Sequence, residues 1–482
     1  MFARVRSTIA GFATRGRSRS KSPKDTLKNP PLEPFVMAQA GNEARPSGVD
    51  GGRLVSRTRE VADRSFRAFL ETASVPRVAW ATPDGLELAG GGAAAVVSAE
   101  GPDRFDSLRE DAARLFETVD RTGPPAARPR VVGGIAFDAD HAPAPPWEGF
   151  PAAEFFLPAV QLTRADGRTW LSVTEYGPDA TPEAVEERLD ERAESVADLP
   201  MMSPSGGRPG VAATRRTTTK AEWTAGVERA VERIRTGDLR KVVLATALAA
   251  DLETEIDLPA VLERFRRTYP ECYRFLVQPT ADAGFFGPPP ERLVRMTGSR
   301  VETEALAGSA ERGDTHEGDA DLAAGLETDA KTVHEQALVA EAIADRLAPL
   351  GDVTVGERRV AKFANIQHLR TPITADLREE THVLDVVEAL HPTPAVGGLP
   401  LERAREVIDE TETFDRGWYA APVGWFDAAG DGEFAVGLRS AVAGGRRATL
   451  FAGDGIVADS DPDAEWAELG PKFRPVLDEL ER

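Results

Sequence analysis

The chain has 482 residues, 41% of them hydrophobic, enough for a large buried core in one big domain or two to three ordinary ones. Acidic residues outnumber basic ones 79 to 58, and the net charge of −21 argues against a polynucleotide or an anionic membrane as partner. The single cysteine, Cys272, excludes an internal disulfide, a zinc knuckle and a CxxC redox pair, and without a long apolar run or a secretory leader the chain is expected in the cytoplasm.

Residues 1–45 read as a disordered basic tail. Within 1–36, eight basic residues face only Asp25 and Glu33, with Ser and Pro interspersed. The tail is either a basic arm that binds a partner or translated upstream sequence with the true start at Met37. Three of the chain's eight lysines fall inside it, which favours the second reading. Elsewhere arginine supplies nearly all positive charge. An acidic, lysine-poor surface fits a salty cytosol such as that of a halophilic archaeon, where screening over a few ångströms tolerates self-repulsion. Where lysine is scarce, one placed inside an apolar segment is less apt to be surface filler.

From about residue 53 the pattern becomes regular. A helical periodicity over 57–72 precedes β-like runs at 77–80 and 93–98, a helix over 103–119, and strands at 131–137, 153–162 and 169–174. A charged helix at 183–197 leads to 203–210, whose two prolines and three glycines read as a linker or long surface loop. No internal repeat recurs at a fixed period.

The chemistry-bearing residues lie beyond it. A helix over 221–235 ends at Gly237 before the continuous apolar run 241–248, so Lys241 stands at the mouth of a buried strand. It is either a gatekeeping charge or a general base, since burial of an amine disfavours its charged form. Three prolines before Glu291 fix the backbone and hold that carboxylate, or simply make a turn with a solvated glutamate. The strand at 303–307 runs into Gly308 and Ser309, a place of close backbone approach or an ordinary turn. On the helix 331–347, Glu335 shares its stripe with Leu338, Val339 and Ala342, pointing inward where it needs a cation or a pair with Lys331.

Strands at 423–426, 433–442 and 448–452 form a meander, in which Arg439 alternates onto the face of Ala435 and Gly437 and has room for an anion. The third runs into Gly453-Asp454-Gly455. Asp461 and Pro462 then start a helix carrying Glu465, Glu468 and Lys472, with Pro471 interrupting it before the lysine. Two carboxylates on one helix and a third on another, with almost no histidine or cysteine to ligate, point to an oxygen-bound Mg2+.

In this order, KVVLATAL, GPPPERLV, TEALAGSAERG, KTVHEQALV, NIQHLRTPITA, LHPTPAVGGLP, ETFDRGWYAAPVGW, FAVGLRSA, LFAGDGIV and EWAELGPK resemble the chorismate-binding enzyme family. That family includes isochorismate and salicylate synthases and the large subunits of anthranilate and aminodeoxychorismate synthases. PRVAWATPDG and GGIAFDADHAPAPPWEGFP also resemble the N-terminal part of its menaquinone-pathway members. The resemblance covers about 55–482. It implies one α+β domain over 46–482, with antiparallel sheets stacked in the centre, helices outside, a catalytic core at 214–482, and 203–210 as an internal loop.

The resemblance implies that Lys241 activates water for attack on C2 of chorismate and that Glu291 protonates the departing C4 hydroxyl. It implies Mg2+ on Glu335 and Glu468 with Glu465 close by. It also implies Arg439, Lys472 and the amides near Gly453 and Gly455 on substrate carboxylates, with Gly308, Ser309 and His391 lining the ring pocket. Ammonia-using members lack a base at the position of Lys241 and depend on a glutaminase. Lysine there points to water and to the isochorismate synthase branch, with no glutaminase subunit expected; a monomer is the expected state. Salicylate synthases, which share the lysine and go on to eliminate pyruvate, are the alternative, and an ammonia-using subunit is a more distant one.

Overall fold

The computed structural model describes residues 51–482, apart from 314, 364 and 365. The tail at 1–45 and a start at Met37 therefore lie outside the described residues. Among the described residues the strands make one continuous hydrogen-bonded network, antiparallel except where Arg53–Val61 runs parallel to Val119–Arg121. This is the α+β architecture implied by the resemblance.

The network forks at Ala153–Ala165. One edge of this strand pairs along its length with Glu87–Ala99; on the other edge its start pairs with Val131–Ile135 and its end with Arg168–Gly177. One wing continues from Val131–Ile135 through Pro422–Phe426, Gly432–Val436, Arg292–Thr297 and Arg300–Glu311 to Ile366–Leu377. The other runs from Glu87–Ala99 through Arg77–Ala81, Arg274–Gln278, Gly284–Gly287, Ala441–Gly444 and Arg447–Ile456 to Lys241–Leu252. Aromatic side chains fill the space between the wings. The ring of Phe285 lies 5.2 Å from that of Trp147 and 6.3 Å from that of Trp418, and all three are fully buried. Each such side chain contributes about 1.5–3 kcal/mol by leaving water, which fixes one wing against the other.

Helices cover the outside. Lys220–Arg235 begins in a reciprocal capping box between Thr219 and Glu222, worth about 1 kcal/mol, and buries Trp223, Val227, Val231 and Ile234 along one stripe. Ala330–Leu347 packs on Arg300–Glu311, and Pro462–Leu480 packs on Arg447–Ile456. These two helices and the strands beneath them frame the cleft described below.

The structure departs from the periodicity at residues 57–65, at 437–440 and at Pro471, and has the loop expected at 203–210. The helix expected over 57–72 starts only at Phe66, capped by the Ser65 hydroxyl; Arg53–Val61 is a strand bonded residue for residue to Arg168–Gly177. That long-range pairing overrides a weak local preference. Residues 203–210 lack regular structure but are tied down, with Arg264 Nη1 donating to Ser205 O at 2.9 Å and Gly210 N to Leu480 O. The strand expected over 433–442 breaks into Gly432–Val436 and Ala441–Gly444. Finally, Pro462–Leu480 runs through Pro471, because Leu469, Phe473, Val476 and Leu480 anchor both sides of it in the core.

Candidate active site

Where the strand Lys241–Leu252 begins, a polar-lined cleft of about 260 Å³ opens between the two framing helices. Lys241, Glu291, Gly308, Glu335, Arg439, Gly453, Gly455, Glu465, Glu468 and Lys472 all line it. They come from different strands and helices, and it is the fork of the sheet that gathers them.

Lys241 is 5% exposed. Its aliphatic stem lies against the bare backbone of Gly455: a Cβ there would stand 2.8 Å from Lys241 Cε and 3.2 Å from Nζ. The Gly453-Asp454-Gly455 segment pairs with Val243 to Ala245, so one sheet edge supplies both the lysine and the groove that receives it. Glu291 follows the proline run, held where its carbonyl accepts from Val436 N at 3.1 Å. Burial pushes its carboxyl up to about 8; the nearby Glu304 charge adds to this and Lys241 opposes it. At neutral pH Glu291 is therefore protonated and able to donate.

Gly308 is the extra residue of a β-bulge. Ala307 pairs with Leu369 and Ser309 with His368, leaving Gly308 unpaired with φ +72. A Cβ there would meet Thr332 Cγ2 at 2.2 Å, so only glycine lets the helix Ala330–Leu347 come this close. The side chain of Ser309, expected in the ring pocket, lies outside what is described, as does that of Lys331. On the same helix, Gln336 is buried and donates to Thr371 Oγ1 at 2.6 Å, fixing the rotation that turns Glu335 into the cleft.

Arg439 reaches the cleft by a sharper route than strand alternation. Leu438 N bonds Val436 O at 2.6 Å, Ser440 Oγ donates to Gly437 O, and Arg439 itself has φ +52. This kink ends the strand and re-aims the guanidinium. Among the described residues no carboxylate pairs with Arg439, which leaves it available to an anion.

The tightest group of carboxylates consists of Asp454, Glu465 and Glu468, whose candidate ligand oxygens lie within 4.8 Å of one another. The set read from sequence had Glu335 in place of Asp454. Glu335 lines the cleft from a different helix and stands outside this group, while Asp454 comes in from the strand Arg447–Ile456. Lys472 Nζ bonds Asp454 Oδ1 at 2.7 Å and Gly453 O at 3.1 Å and lies 3.8 Å from Glu468 Oε2. Asp454 Oδ2 is buried without a hydrogen-bond partner among the described residues. Hard oxygen donors around an orphaned buried oxygen fit a cation such as Mg2+.

The expected histidine is the wrong one. His391 follows the helix Val383–Leu390, hydrogen-bonds Phe137 O through Nε2 at 3.1 Å, and packs edge-on to the Phe137 ring outside the cleft lining. The cleft histidine is His368, across from the bulge. Burial, reinforced by Arg439, lowers its pKa to about 3, so it is neutral. Its Nδ1 donates to Gly308 O at 3.1 Å, which leaves Nε2 as a buried acceptor with no partner among the described residues. Sequence reasoning also passed over Arg416, which braces the cleft through Glu412, Val243 O and Val396 O. Its signal was an arginine between acidic and aromatic residues in ETFDRGW, which also describes an ordinary surface turn.

The chain belongs to the chorismate-binding enzyme family: the family model described as chorismate binding enzyme matches residues 42–481. Among curated relatives, the isochorismate synthase MenF of Bacillus subtilis is 34% identical over 383 residues, 78% of this chain and 80% of that one. The salicylate biosynthesis isochorismate synthase of Pseudomonas aeruginosa is 36% identical over 419 residues, 84% of this chain and 85% of that one. Among solved structures, MenF of Escherichia coli, titled the menaquinone-specific isochorismate synthase, superposes with a TM-score of 0.76 at 27% identity, covering 91% of this chain and 96% of that one. No helix among the described residues is long and apolar enough to cross a membrane.

Proposed function

We propose that the chain is an isochorismate synthase, an isomerase that converts chorismate to isochorismate with Mg2+ as cofactor and serves menaquinone formation. The observation that carries this reading is the meeting of Lys241 and a protonated Glu291 in one cleft. When deprotonated, Lys241 takes a proton from the water that adds to C2. Electrons shift through the ring double bonds, and Glu291 gives its proton to the C4 hydroxyl, which leaves as water. One water enters and one departs, so the net change is an isomerisation.

Arg439 and the ammonium of Lys472 receive substrate carboxylates, while Gly308 keeps the ring pocket open. His368 Nε2, an acceptor only, suits a substrate hydroxyl. Glu465, Glu468 and Asp454 would hold the cation, with Glu335 contributing from its own helix. Bound there, Mg2+ supplies charge neutralisation to a substrate carboxylate. A base for water removes the need for a glutaminase. Menaquinone is supported by the description of the Escherichia coli structure as menaquinone-specific, and the name of the Pseudomonas aeruginosa relative supports salicylate supply as the second destination.

The test is to incubate purified protein with chorismate and Mg2+ in high salt and separate the products. Isochorismate without pyruvate is expected, and Lys241→Ala should abolish it at an unchanged melting temperature. Stoichiometric salicylate and pyruvate would move the chain to the salicylate synthases. A reaction that starts only when ammonia is added would overturn the role of Lys241.

A further inference from the structure

Asp454 puts a carboxylate between the two glycines whose amides, with Lys472, are read above as a seat for a substrate carboxylate. It is 9% exposed at the side chain and already holds two of those donors: Lys472 Nζ at 2.7 Å and Gly455 N at 2.9 Å, both on Oδ1. Its other oxygen, Oδ2, is buried in the group it forms with Glu465 and Glu468 and has no hydrogen-bond partner among the described residues. A buried acceptor left unmade is unfavourable, and a cation at this group would satisfy it.

We infer that Asp454 is a positioning residue that couples cation binding to substrate binding. This rests on the reading that Glu465 and Glu468 hold Mg2+ and that Lys472 receives a substrate carboxylate. Without the cation, Asp454 occupies the donors the substrate needs. With a divalent cation held by Glu465 and Glu468, Asp454 would turn its carboxylate to that group, and Lys472 and the Gly455 amide would be freed for the substrate. The three grouped carboxylates also repel an anionic substrate locally, and a divalent cation among them would offset that repulsion. By thermodynamic linkage the substrate then tightens the cation by the same factor.

The isosteric Asp454→Asn separates this from a merely structural role. Two affinities are measured: Mg2+ on the protein alone by calorimetry, and chorismate in the presence of EDTA by tryptophan fluorescence. The expected result moves them in opposite directions, with Mg2+ at least about tenfold weaker, the scale for losing a supporting group, and metal-free chorismate severalfold tighter. Asp454→Ala, which removes the carboxylate and keeps the β-carbon already present, should behave alike. Unchanged Mg2+ affinity in either variant, or chorismate weakened together with Mg2+, would overturn the coupling while leaving the metal reading intact. A wild-type protein that binds no Mg2+ would overturn both.

Discussion

Replacing Gly455 by alanine adds one methyl group where the stem of Lys241 lies. The new Cβ would stand 2.8 Å from Cε and 3.2 Å from Nζ, closer than carbon contacts allow. What yields is the end of a flexible side chain, not the backbone, because the strand at Gly455 has no left-handed φ and its pairing with Val243 is unaffected by a β-carbon. Restoring ordinary contact moves the amine by about 1 Å, and a misplacement of that size in a catalytic group costs on the order of 10²-fold in rate, or about 2.7 kcal/mol of barrier. Stability should hold or rise by a few tenths of a kcal/mol, roughly the gain from alanine at a position whose backbone accepts it. Initial rates of isochorismate formation at saturating chorismate and Mg2+, set beside a thermal melt, read both effects. A variant with kcat within about threefold of wild type would show that Gly455 does not position the base, given the ~10²-fold expected. A collapse in melting temperature would show that the contact is structural.

Three further outcomes follow from other parts of the site. Because burial raises Glu291 to about 8, kcat/KM should fall as pH rises through that value, and Glu291→Gln should be inactive across the range; a profile flat to pH 9.5 in wild type would remove Glu291 as the acid. Gly308→Ala should destabilise by at least about 1–2 kcal/mol from its left-handed backbone alone, and Thr332→Ser, which deletes the clashing methyl, should recover part of the loss in urea unfolding; no recovery would place the cost elsewhere. Burial opposes a charge on His141, but its 2.6 Å bond to Asp415, the Asp415 charge and the bond to Phe150 O together hold the imidazole above its ordinary value, and burial of Asp415 is likewise overcome by the His141 bond with the Gly417 amide, which hold it below its own. A raised base stabilises fully below its unfolded value of about 6.5 and loses this as pH climbs through the folded value, while the depressed acid loses its share as pH falls. His141→Gln should therefore cost more at pH 5.5 than at pH 9, and an equal loss at both would exclude the pair.

What the sequence made legible divides along the distance over which each residue's placement is decided. Lys241 at the head of an apolar run, Glu291 behind three prolines, and Glu465, Glu468 and Lys472 on one helical face are placed by their own neighbours, and the structure brings them to one cleft. Residues 57–61 were read as helix because their strand exists only through pairing with a segment more than a hundred residues away. The two histidines make the same point more sharply. His391 and His368 each sit beside a motif of the family, and nothing local separates them. The choice is made by the bulge at Gly308, which sets His368 opposite Ser309, and by a buried carbonyl at Phe137 that claims His391. Asp454 was visible as an unusual charge between glycines, yet its company depended on how the last helix docks on the strand Arg447–Ile456. A local pattern thus identifies which residues can do chemistry, whereas the pairing of distant segments decides which of them share a cleft, and it is in that second step that Asp454 joins Glu465 and Glu468.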